Sequence, residues 1–122
     1  MVNFRELRIW QKGFEIANKT FRLVELFPKE EKFGLAIQMT RAAVSIPSNI
    51  AEGCSRTSEK DFKRFLEIAL GSGFELETQL LIAQSASFGS EDALLELLQA
   101  VDEEQRMLAS FIRSLQKRLS NP

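Results

Sequence analysis

Arg41, Ser45, Asn49 and Glu52 are the side chains in this sequence best placed to do chemistry together. They step by four, four and three residues, so on a helix they share one side. Such a set can form a ligand or catalytic site, or a polar network that fixes the register of two helices. The segment expected to face it carries Ser72, Glu75, Thr78 and Gln79. A half-buried arginine needs a carboxylate partner, which makes Glu75 the expected partner of Arg41. No nucleophile with a base accompanies the set. The 122 residues contain no His and no Tyr. That removes the Glu-x-x-His pairs of di-iron bundles, zinc sites built from Cys and His, and Ser-His or Cys-His nucleophile pairs. The expectation is therefore a structural network of Arg41, Ser45, Asn49, Glu52 and Glu75, with no catalytic residue, metal or cofactor. An enzyme built on Arg41, Glu52 and Glu75 is the least favoured reading.

Composition bounds the elements that hold these residues. Hydrophobic residues make up 44% and charged residues 27%, which is ordinary for one globular domain spanning 1–122. Six Gly and three Pro are too few for a turn-rich sheet fold and enough for a few long helices. The formal charge of −1 exerts no global pull toward nucleic acid or membrane. Cys54 stands alone, so no intrachain disulfide can form, and a single thiol fits a reducing compartment. The first residues hold no apolar signal core and charges interrupt every apolar run, so the expected location is the cytoplasm.

Periodicity predicts an all-α, antiparallel up-down four-helix bundle. The first helix runs from about Arg5 to Phe27, with Leu7, Trp10, Phe14, Ala17, Phe21 and Val24 as its seam. The second runs from about Phe33 to Gly53 on Leu35, Met39, Ala42, Ile46 and Ile50. Pro47 inside it predicts a kink, with two shorter helices as the alternative. Ser58 with Asp61 predicts the cap of a third helix reaching about Ala86. Gly71 and Gly73 within it make sense if another backbone comes close. Ser90, followed by Glu91 and Asp92, predicts the start of a fourth helix. The short connections force neighbouring helices to be antiparallel.

Apolar residues exceed what one core needs. Ile9, Ile16 and Leu23 recur every seven residues off the first seam, and Phe65, Ile68 and Phe74 lie off the third. These six are the expected interface between copies of the chain, because contiguous exposed apolar surface marks interaction sites. Leu95, Leu97 and Phe111 add to the excess on the fourth helix. Charge is sorted as well. Residues 1–15, 46–68 and 106–122 would gather at one end of the bundle, with a net charge of +5 against −6 for the rest. Arg5, Arg8, Lys12, Arg56, Lys60, Lys63, Arg64, Arg113, Lys117 and Arg118 at that end are the candidate nucleic-acid contacts. Complementation of helix dipoles explains the same sorting without a partner.

The block Arg41-Ala42-Ala43-Val44-Ser45-Ile46-Pro47-Ser48-Asn49-Ile50-Ala51-Glu52-Gly53 is long and specific. With Phe27 to Leu35 before it and Glu75-Leu76-Glu77-Thr78-Gln79-Leu80 after it, it resembles a family of small four-helix-bundle proteins. That family was first noticed as reading frames in intervening sequences of bacterial 23S rRNA genes. The resemblance covers roughly residues 4–85 and implies a homopentamer with no known enzymatic activity. A related branch, the accessory variability determinants of diversity-generating retroelements, is similar in fold and binds a reverse transcriptase and nucleic acid. The expected function is a non-enzymatic homo-oligomeric scaffold, with an RNA- or DNA-binding accessory protein as the alternative. No membrane partner or small-molecule substrate is expected.

Overall fold

Asn3 opens the helical structure. In the computed structural model, which describes residues 2–121, its side chain accepts the Arg5 N–H at 3.1 Å and caps a 3-10 turn over Phe4–Glu6. Leu7 donates back to the Phe4 carbonyl and adopts an extended conformation, so α1 spans Arg8–Val24. The helix expected to start near Arg5 is thus interrupted at Leu7. After Pro28 and a 3-10 turn over Lys29–Glu31, α2 spans Leu35–Cys54. Ser58 accepts the Asp61 N–H at 3.1 Å and opens α3, Glu59–Ser85. Ser90 accepts the Ala93 N–H and opens α4, Glu91–Ser120. No strand occurs among the described residues.

Pro47 lies buried within an unbroken α2, so the alternative of two shorter helices is not adopted. Its ring nitrogen carries no hydrogen, which leaves the Ala43 carbonyl without its helical donor. Contacts between adjacent helices occur in reversed chain order. Lys12 pairs with Glu103 and Lys19 with Glu96, at 2.9 and 2.8 Å, across α1 and α4. Ser45 meets Ser72, and Gly53 meets Phe62, across α2 and α3. Gln105 meets Glu77, and Arg118 meets Glu59, across α3 and α4. The seam between α1 and α4 is the lightest of the four.

Met39, Ile46 and Ile50 of α2 meet Leu66, Leu76 and Leu80 of α3 and Leu108 and Leu115 of α4 in the core. These are the stripes the periodicity predicts. The face of α1 is different. Ile9, Ile16 and Leu23 are buried, with Gly13 and Thr20 completing their line, whereas Phe14 and Phe21 are 52% and 49% exposed. The three residues expected to bind a second copy therefore belong to the chain's own core. In this rotation Lys12 and Lys19, seven residues apart, reach Glu103 and Glu96, also seven apart, across the α4 side, and the aromatic flank lies beside α2. The Thr20 hydroxyl can enter the core because it donates to the Ile16 carbonyl at 2.8 Å.

Gly53 shows how tightly α2 closes on α3. A Cβ there would stand 2.9 Å from both Phe62 Cδ1 and Phe65 Cβ. The second of these atoms cannot swing aside without moving the backbone. Gly53→Ala is expected to destabilise the fold by about 1–3 kcal/mol despite its better helix propensity. Urea unfolding followed by circular dichroism measures this, and an unchanged midpoint contradicts the close approach.

Candidate interaction surface

Phe14 and Phe21 extend from α1 beside α2, and with it they frame a groove of three adjoining hollows that share Phe21, with apolar walls edged by polar residues such as Thr40, Arg41 and Ser48. Its lower part is lined by Trp10, Phe14, Pro47 and Ala51, its middle by Phe21 and Val44, and its upper part by Ala36 and Ile37. The Trp10 and Phe14 rings stack at a centroid distance of 5.1 Å, which holds both on the groove wall. Val44 is 41% exposed, and Ile37 is exposed as well. Spacing by size assigns Phe14 and Phe21 to the core. The structure places both at the surface, with Lys12 and Lys19 on the side of α1 that meets α4.

The polar stripe of α2 borders this groove, and the structure assembles part of it. Ser45 Oγ and Ser72 Oγ are 2.8 Å apart, and Asn49 Nδ2 donates to both the Ser45 carbonyl and its hydroxyl at 2.8 Å. These bonds tie α2 to α3 at a fixed register. Arg41 and Glu75 do not join them. The Ser45–Ser72 contact places the two nearly opposite each other, yet both are exposed and neither forms an ion pair among the described residues. The arginine stays in water, so the burial that called for a carboxylate partner does not arise. Glu52 instead faces Arg56, one turn on, at 3.6 Å. Arg41, Glu52 and Glu75 are not gathered into a site.

The outer face of α3 is the second apolar surface. Ile68 and Phe74 are exposed as expected of interface residues, and Leu81 and Ile82 extend the exposed area. Phe65 is half-buried, and Arg56 lies over its ring at 4.7 Å. Between them Gly71 faces open space: a Cβ there would meet nothing within 4 Å. No backbone of the chain comes close, so the reason expected for this glycine is absent within one copy. Gly71→Ala is expected to stabilise the folded chain by about 1 kcal/mol in urea unfolding of dilute protein.

Carboxylates answer part of the basic end. Lys12, Arg56, Lys63 and Arg118 pair with Glu103, Glu52, Glu67 and Glu59. Arg5, Arg8, Lys60, Arg64, Arg113 and Lys117 make no ion pair among the described residues. No helix is long and apolar enough to cross a membrane, and no group of three metal-ligating side chains occurs, among the described residues.

Two buried groups are electrostatically altered. Burial pushes the Cys54 thiol up, away from the reactive thiolate. Glu104 of α4 has no exposed surface, and neither carboxyl oxygen makes a hydrogen bond. Burial raises its pKa to about 8, with nearby Lys12 acting in the opposite sense. Gly13 makes room for it: a Cβ there would stand 3.0 Å from Glu104 Oε2 and 3.1 Å from Ile46 Cγ2. This carboxyl carries its proton at neutral pH and lies out of reach of any solute. The apolar sequence pattern gave no sign that an acid occupies this core position.

A family model described as 23S rRNA-intervening sequence protein matches residues 5–110. A solved protein of the S23 ribosomal protein family, from Bacteroides thetaiotaomicron VPI-5482 and described as of unknown function, is 26% identical to this chain. The match covers 86% of this chain and 95% of that one with a TM-score of 0.79. No curated protein matches the chain.

Proposed function

Because the chain belongs to the 23S rRNA-intervening sequence protein family, we propose that it is a non-enzymatic scaffold that assembles with copies of itself through the α1–α2 groove. The observation that carries this reading is the exposure of Phe14 and Phe21 after every helix has closed on the core. Two half-exposed aromatics on one wall, facing Ile37 and Val44, form the kind of patch that association removes from water. The family resemblance implies a ring of five. A closed ring of more than two copies needs two different faces on each copy. The outer face of α3, with Ile68, Phe74 and Ile82, supplies the second. The cytoplasm suits such a scaffold, since Cys54 stays reduced there. Light scattering at micromolar concentration is expected to give about five times the 13.9-kDa chain mass; a clean monomer refutes the reading.

A second reading rests on the six basic side chains that no carboxylate neutralises. In it the basic end holds RNA or DNA, and assembly multiplies the patch. Gel-shift titration with structured RNA tests this. Phosphate contacts weaken steeply with salt, and no retention at low salt removes the idea.

A further inference from the structure

The seam between α1 and α4 opens into a cleft of about 750 Å³ where the start of α1 meets the second half of α4. Its floor is apolar, made by Leu7, Met107 and Phe111, all half-buried. Its rim is basic. Arg8 makes no ion pair among the described residues, and Arg106 and Arg118 pair only with exposed Asp102 and Glu59. Such exposed pairs contribute little and exchange readily. Arg106 and Arg118 are twelve residues apart on α4, a span of roughly 18 Å at 1.5 Å per residue. Between them Ser110 and Ser114 line the same trough, and their hydroxyls make no hydrogen bond among the described residues.

The cleft is a long open trough. Sites for small ligands enclose most of the ligand surface, whereas a trough with an apolar floor and charged rim matches the way an amphipathic helix is bound. A phosphate backbone would use the arginines and leave the apolar floor dry and unpaired. The floor has a single aromatic ring, Phe111, already in edge-to-face contact with Phe62 at 5.6 Å and 87°, and no run of rings on which successive bases could stack.

We propose that this cleft is a docking groove for an acidic amphipathic helix of a partner protein, whose apolar stripe covers Leu7, Met107 and Phe111 while its carboxylates meet Arg8, Arg106 and Arg118. The groove lies on the α1–α4 seam, apart from the α1–α2 groove assigned to self-association, so the two readings stand or fall separately.

The test uses the full chain and a fluorescein-labelled helical peptide of about 14 residues, roughly the length of the groove at the helical rise. Its leucines follow i, i+3, i+4, i+7 spacing, and glutamates occupy its first and last turns. Anisotropy titration is expected to give a Kd in the micromolar range, weakened at least about tenfold by Arg8→Glu with Arg106→Glu. Ser110→Trp, which fills the trough from an exposed position, is expected to weaken binding similarly while leaving assembly unchanged. Absence of binding at about 1 mM peptide, or equal binding of a peptide with lysine in place of glutamate, overturns the proposal. So does tighter binding of a single-stranded RNA at the same rim. Loss of assembly in the Ser110→Trp protein also overturns it, by assigning the groove to contacts between copies.

Discussion

Phe21→Asp with Val44→Asp is expected to convert the proposed assembly into monomers that keep their helical fold. Phe21 of α1 and Val44 of α2 face each other across the middle of the groove, about half exposed in one copy. Within a single bundle their replacement removes little burial, and exposed substitutions of this kind cost about 1 kcal/mol or less. Between copies the balance differs. Burying the remaining half of the Phe21 ring is worth roughly 1 kcal/mol, and an aspartate placed at that contact must shed water without a partner, at a cost of several kcal/mol. The sum weakens each contact by about 3 kcal/mol or more, over a hundredfold in Kd. Sedimentation velocity reads the mass, and circular dichroism reads the helix content. Trp10, still stacked on an unchanged Phe14, reports by fluorescence that the groove wall is folded. A variant that sediments like the unaltered protein places the contact elsewhere.

Glu104→Met is expected to stabilise the fold and to abolish most of its pH dependence in the neutral range. The folded chain holds the Glu104 proton up to about pH 8, whereas the unfolded chain releases it near the ordinary 4.5. Below pH 4.5 both states are protonated and the group exacts no penalty. As pH rises from there, the unfolded chain gains free energy by ionising and the folded chain does not, so stability falls until the folded carboxyl also ionises near pH 8. The total loss across that window is on the order of 5 kcal/mol. Methionine matches the side-chain length, adapts its shape to the space, needs no hydrogen bond and does not titrate. Urea unfolding at fixed protein concentration and pH 5, 7 and 9 is expected to show a falling midpoint for the unaltered protein and a nearly flat one for the variant. A flat profile for the unaltered protein would mean that the carboxyl is ionised and matched in the core.

Much of the architecture was legible in the residues. The stripes of α2 and α3 share one phase with their heptads, and Ser58 and Ser90 fix where α3 and α4 begin. Pro47 was legible as a residue inside α2 because the apolar stripe continues in phase beyond it. The polar network was half legible. Ser45, Asn49 and Ser72 are short side chains whose position on the backbone already decides their partners. Arg41 and Glu75 are long, and water competes for them.

The sequence alone determined four helices, their neighbours and the caps of α3 and α4, because these depend on interactions between residues three and four apart and on links too short to cross the bundle. Tertiary structure alone decided how α1 is rotated. It carries two apolar lines, and which of them turns inward depends on packing against helices far along the chain, as the contacts of Lys19 with Glu96 and Lys12 with Glu103, 77 and 91 positions distant, show. That rotation buries Ile9, Ile16 and Leu23 and exposes Phe14 and Phe21. It also set Gly13 against Glu104, a juxtaposition between helices that no local periodicity encodes.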